Sequence, residues 1–165
     1  MSKAVTIVAL ALAAAATLVL AGTGGAADAG CNAGTTKFGG SPARVFCGSA
    51  TATVRVGAKT FSFRNGSCEA TSDYLTLNLG TIVIGSPSKR RPDYFGLTVG
   101  RLPVGGGKPA GKDGTYSGAV VSAVHRGEAY AVGGASVTLA GGRTRGTFTG
   151  RLVGSAVRVS GSFAC

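Results

Sequence analysis

The sequence predicts an all-β fold: an antiparallel β-sandwich of about eight or nine short strands, stapled by disulfides, with a closed β-barrel as the alternative. Three observations predict it. Apolar and polar residues alternate with a period of two along most of the chain after residue 50, the signature of strands with one buried face. Glycine supplies 29 of the 165 residues, well over twice its usual share of about 7%, with no collagen-like period, so the chain turns often. Downstream of residue 30 no stretch keeps a helical period over a useful length. Many short strands between turn signals are the pattern of sandwiches and barrels.

At the start of the chain, Lys3 precedes an apolar run over residues 4–20, and small residues follow over 21–30. This is the pattern of a secretory signal peptide. Ala27-Asp28-Ala29 fits the small-x-small rule, so cleavage is expected before Gly30, leaving a secreted or cell-surface chain. An uncleaved leader would be its one route to a membrane, and the run is marginal for a spanning helix. Acylation of Cys31 is not expected, because Asp28 stands where lipid-modified precursors carry an aliphatic residue. The organisation is then a signal peptide over 1–29, an N-terminal arm over 30–49 and a single β-domain over 50–165, long enough for a real core.

The arm is rich in Gly, Asn, Thr and Pro and is expected to be poorly structured, pinned into a loop by Cys31 and Cys47. Val54 and Val56 then alternate with Thr53 and Arg55, Gly57-Ala58 turns the chain, and Phe61 and Phe63 alternate back. Asn65-Gly66 is expected to turn it again, as a hairpin signal, making a three-strand meander. Leu75, Leu77 and Leu79 form the next strand, with Gly80 as a break before the apolar run 82–84. Residues 85–93 are basic and turn-forming, an exposed loop before the strand carrying Phe95, Leu97 and Val99. A Gly-, Pro- and Lys-rich loop covers 101–114, and strands follow at 115–123, 128–132 and 135–139.

The last stretch, 141–165, folds on itself about Gly154-Ser155, a pair suited to a type II′ two-residue turn. In that register Leu152 faces Val157, Gly150 faces Val159, Phe148 faces Gly161 and Gly146 faces Phe163, so each bulky residue meets an apolar residue or a glycine. The opposite face carries Thr147, Thr149 and Arg151 against Ser162, Ser160 and Arg158. A slip of one residue would destroy this pattern.

Four cysteines, Cys31, Cys47, Cys68 and Cys165, are even in number, far apart and downstream of an export signal, and so read as two disulfides. The expected pairs are Cys31 with Cys47 and Cys68 with Cys165. Zinc is a poor rival: no Cys-x-x-Cys pair is present, and the single histidine, His125, has no cysteine near it.

The domain resembles the mycobacterial lipoprotein-antigen family of small exported envelope proteins. The resemblance rests on Val54-Arg-Val-Gly-Ala58, Asn65-Gly-Ser-Cys68, the leucine strand ending Asn78-Leu-Gly80, Phe95-Gly-Leu-Thr-Val-Gly100, Tyr130-Ala-Val-Gly-Gly134 and a last strand ending in Cys165, in order over residues 50–165. It implies an exported, envelope-associated role without catalysis. The family's lipid anchor does not carry over, since the acylation motif fails at Asp28.

Candidate chemistry is sparse. His125-Arg126-Gly127-Glu128 brings a histidine near a carboxylate, the minimum for acid-base work, but a polar turn between strands explains it. Glu69 and Asp73 have the residue types of a glycosidase pair, and a solvated edge is the ordinary explanation. Gly105-Gly-Gly-Lys-Pro109 lacks the Ser or Thr of a phosphate loop, and Leu102-Pro103-Val104 lacks the Thr of a wall-sorting signal. The Asn65-Gly66-Ser67 sequon is explained by its turn. No metal site and no cofactor is implied.

What carries content is charge: a net +11 that loss of the leader leaves unchanged, since the leader holds one Lys and one Asp. Such a balance favours anionic polymers or surfaces. Lys89, Arg90 and Arg91 crowd one loop, and Arg151 and Arg158 face each other across the closing hairpin. These five are the candidate anion-binding residues. Specific nucleic-acid binding is not expected, since Tyr94 and Phe95 are the only aromatics beside the basic loops. The leading expectation is a non-catalytic envelope-associated or secreted β-domain. The alternatives are a binder of anionic cell-surface polymer and a hydrolase.

Overall fold

The computed structural model describes residues 30–101 and 107–165. The expected leader lies outside the described residues, as do Leu102-Pro103-Val104 and the first glycines of the following loop. Ten strands form: β1 (Gly34–Phe38), β2 (Ser41–Phe46), β3 (Ala50–Val56), β4 (Lys59–Ala70), β5 (Tyr74–Val83), β6 (Tyr94–Gly100), β7 (Gly114–His125), β8 (Glu128–Ala140), β9 (Arg145–Leu152) and β10 (Arg158–Ala164).

From β3 to β10 each strand pairs antiparallel with the next, and β10 returns to β3, with Val159 opposite Val56 and Phe163 opposite Ala52. The all-β antiparallel fold is therefore a closed eight-stranded barrel with two extra strands, and of the two expected layouts the barrel is the one that forms. Alternation is common to sandwich and barrel. What separates them is the β10–β3 pairing, which removes both free edges of the meander.

An eight-stranded barrel is just wide enough for side chains to fill it. Phe63, Phe95 and Phe148 line up inside, with successive ring centroids 5.7 Å and 5.7 Å apart. Leu75, Leu77, Leu79, Leu97 and Leu139 pack around them, all fully or almost fully buried. Each such side chain contributes about 1.5–3 kcal/mol on burial. Disulfides join Cys68 to Cys165 and Cys31 to Cys47.

Five local expectations are corrected. The arm over 30–49 is not a loose loop: β1 and β2 form a hairpin, and Ala43–Phe46 of β2 pair with the Gly80–Val83 end of β5. Asn65-Gly66 is not a hairpin turn but a bend inside β4. Asn65 takes a φ of 60°, and Gly66 stands opposite both Ala50 and Leu79, so β4 leaves β3 and passes to β5. A Cβ at Gly66 would run into Leu79, which is why a turn-like pair appears mid-strand. Gly80 does not break its strand either, since β5 runs on to Val83, and the two strands expected over 128–139 are one, β8. The closing hairpin keeps its expected register but not its II′ turn. Ser155 N–H donates to the Leu152 carbonyl and Gly154, with φ of 71°, holds the third position of that turn, which a type II geometry requires.

Candidate anion-binding site

Arg151 and Arg158 stand directly opposite each other on β9 and β10, on the outer wall of the barrel. Next along the strands come Thr149 and Ser160, also directly opposed. Strand alternation puts all four side chains outward because Gly150 and Val159 between them face the core.

The neighbouring strand shapes the wall into a notch. On β8 the register shifts between Gly133 and Ser136, so that Gly134 and Ala135 stand against Gly150 alone. Gly134 has a φ of 58°, the left-handed glycine of a G1-type bulge, and such bulges re-aim the wall around them. A Cβ on Gly150 would lie 2.5 Å from Val132 and 3.3 Å from the Gly133 carbonyl oxygen, so only glycine lets β8 fold this closely against β9. The recess so made has a volume of about 610 Å³, and Ser136, Thr149, Arg151, Arg158 and Ser160 supply its polar side chains. Among the described residues no carboxylate lines it.

Electrostatically the pair is uncompensated. The ion pairs among the described residues join Lys59 to Glu128, Arg101 to Asp73 and His125 to Asp93, and none involves Arg151 or Arg158. Two guanidiniums across adjacent strands repel. An anion seated between them turns that repulsion into bidentate, charge-assisted hydrogen bonding.

The loop cations are not part of this notch. Lys89 lies where the loop meets Gly39 of the β1–β2 turn, beside the Ser88 N–H to Gly39 carbonyl bond of 3.0 Å. Arg90 lies over Gly127 at the barrel mouth. Arg91 Nη2 donates to the Gly85 carbonyl at 2.6 Å, inside its own loop. The three adjacent cations thus go to three places, because the loop is threaded between the extra hairpin and the barrel rim.

At the mouth, a second recess of about 470 Å³ gathers Lys59, Thr60, Arg90, His125, Glu128 and Tyr130. Here His125 bonds Asp93, not Glu128: Nδ1 is 2.9 Å from Asp93 Oδ2, and Asp93 Oδ1 accepts the Arg126 N–H at 2.7 Å. The imidazole stacks on Phe61 with centroids 4.5 Å apart. Glu128 instead accepts from the Tyr130 hydroxyl and pairs with Lys59. The Tyr130 hydrogen bond, and then Lys59, hold the Glu128 carboxyl below its ordinary range. Acyl-transfer chemistry needs a nucleophile bonded to the base, and among the described residues His125 bonds Asp93 alone. Glu69 and Asp73 are likewise engaged, with the Tyr74 hydroxyl at 3.0 Å and Arg101 at 4.0 Å.

Two contributors were not readable from the sequence. Asp93 lies 32 residues from His125, and only the loop's path brings them together. The Gly133-Gly134 bulge looks like an ordinary turn signal between two strands, and its doubled glycine is the one trace it leaves. Comparison with family models, with characterised proteins and with solved structures finds no match.

Proposed function

We propose that this protein is a non-catalytic binding module for anionic polymer, exported to the cell envelope or surface, with the Arg151–Arg158 notch as its principal contact. The observation that carries this reading is the cross-strand guanidinium pair, set in a polar recess with no carboxylate and no ion partner among the described residues. Holding two like charges opposite each other costs stability in the empty protein, and an anionic ligand repays it. The net charge of +11 adds long-range attraction that steers such a polymer to the surface. Export rests on the leader pattern, and the family resemblance on the short motifs quoted above.

The test is titration with an anionic glycan or with polyphosphate at two salt concentrations. Replacing both Arg151 and Arg158 by Ser is expected to weaken binding and flatten its salt dependence, while Arg91→Ser, whose guanidinium is held by the Gly85 carbonyl within its own loop, does less. Equal losses for all three arginines would mean that diffuse charge alone is at work.

A further inference from the structure

From the notch toward β4, the outward positions at one level of the barrel are direct cross-strand neighbours. Ser136 faces Thr149, Thr149 faces Ser160, Ser160 faces Arg55, and Arg55 faces Thr60. This row crosses β8, β9, β10, β3 and β4 without interruption. It begins in the Arg151–Arg158 notch, which Ser160 lines, and ends in the mouth recess, which Thr60 lines beside Arg90 and the Lys59–Glu128 ion pair. Four strand-to-strand steps of about 4.8 Å make it about 19 Å long.

Arg55 is the link. It is exposed, belongs to none of the ion pairs among the described residues, and its Nε donates to the Gly57 carbonyl at 3.1 Å. Gly57 in turn donates its N–H to the Arg158 carbonyl. The Arg55–Gly57 bond engages Nε and leaves both terminal nitrogens of the guanidinium for an outside acceptor, one strand away from Arg158. The closure of β10 on β3 is what makes Arg55 a neighbour of the hairpin at all.

The chemistry of the row also restricts the ligand. Four of its five positions are hydroxyls and one is a guanidinium. The level beyond it repeats the pattern, with Thr147 facing Ser162 and Ser162 facing Thr53. Single-stranded nucleic acid calls for a run of aromatic platforms, and these two levels carry none, the aromatics Phe61, His125 and Tyr130 being confined to the mouth recess. Hydroxyls between spaced cations suit a polymer whose charges are separated by hydroxyl-bearing units.

We infer that the notch is one end of a track, running through Arg55 to Arg90 at the barrel mouth, for a hydroxylated polyanion of the acidic-glycan or polyol-phosphate class. This rests on the anion-binding reading of Arg151 and Arg158.

The experiment measures the affinity of the full protein for galacturonate oligomers and glycerol phosphate oligomers of increasing length. Inorganic polyphosphate of matched charge serves as the probe without hydroxyls. Affinity is expected to climb until the oligomer spans about 19 Å and then level off, and one or both hydroxylated probes should bind more tightly than polyphosphate, the better one naming the source. Arg55→Ser should weaken long oligomers by up to about fivefold and leave the shortest unchanged, with an unaltered urea midpoint showing the fold intact. A loss confined to the Arg151→Ser, Arg158→Ser double variant would overturn the track and keep the notch. No loss with either variant would overturn both, and polyphosphate binding as tightly as the hydroxylated probes would overturn the ligand class.

Discussion

The ring of Phe148 lies over Gly161, its direct cross-strand partner, and fills the space where a side chain would stand. Phe163 does the same over Gly146, where an added Cβ would be 2.7 Å from the ring. Glycine normally weakens a strand, but here each one admits an aromatic ring to the barrel interior and the ring covers the exposed backbone.

Gly161→Ala is therefore expected to destabilise the barrel by about 1–3 kcal/mol, the usual range for overpacking, since the new methyl would collide with Phe148 and with the Thr53 carbonyl oxygen. Phe148→Ala, which empties the same space, should cost about 3–5 kcal/mol. Gly30→Ala, with nothing nearby, should stay within about 0.5 kcal/mol. Urea unfolding of the three variants checks the order.

The two disulfides should differ in weight. Cys68–Cys165 closes a sequence separation of 97 and Cys31–Cys47 one of 16, which in the chain-entropy model correspond to about 4.7 and about 3 kcal/mol. Replacing Cys165 should lower the unfolding midpoint more than replacing Cys47. It frees the end of β10, which closes the barrel, whereas loss of Cys47 loosens only the β1–β2 hairpin. Equal midpoints would show that the unfolded chain is not what these bridges act on.

Much of this was legible because strand alternation is a local signal. The register of β9 on β10, with Arg151 against Arg158, follows from placing Phe148, Val159 and Phe163 on one face, and the structure keeps it. What was not legible depends on pairings between distant segments. Asn65-Gly66 has the local chemistry of a hairpin turn, yet it bends β4 because Leu79 packs on Gly66. Arg55 reads as the polar member of an alternating strand, and it becomes part of the site only when β3 meets β10. The Asn-, Thr- and Gly-rich composition of the arm hid β1 and β2, since the strand that anchors their hairpin, the far end of β5 paired with β2, is nearly forty residues on.

Alkaline pH should reveal the tyrosines. Burial raises the pKa of Tyr94, and hydrogen bonds to Glu69 and Glu128 raise those of Tyr74 and Tyr130 above the ordinary 10.0. In the unfolded chain these groups ionise near pH 10 while in the barrel they hold their protons longer. Their contribution is therefore complete below about pH 10 and is lost as pH rises through the raised native values. Tyr94→Phe should lower stability at pH 8 by about 1 kcal/mol, through the lost hydrogen bond to Asn78, yet show a shallower decline between pH 9 and 11 than the parent. Parallel declines in the two proteins would contradict this.

The last prediction sets the notch against the stability of the barrel. Arg151 and Arg158 face each other with no carboxylate among the described residues between them, so removing one guanidinium should relieve repulsion. Arg158→Ser is expected to raise the stability of the ligand-free protein at low ionic strength by about 0.2–1 kcal/mol, the range for a cross-strand pair. The gain should fade in 1 M salt, where charges are screened within about 3 Å. Adding polyphosphate should reverse the order, because a ligand stabilises only the protein that binds it. Thermal or urea unfolding of parent and variant, at low salt, at high salt and with polymer, gives all three comparisons. A variant less stable than the parent under every condition would mean that Arg158 holds the wall together and is not kept for an anion.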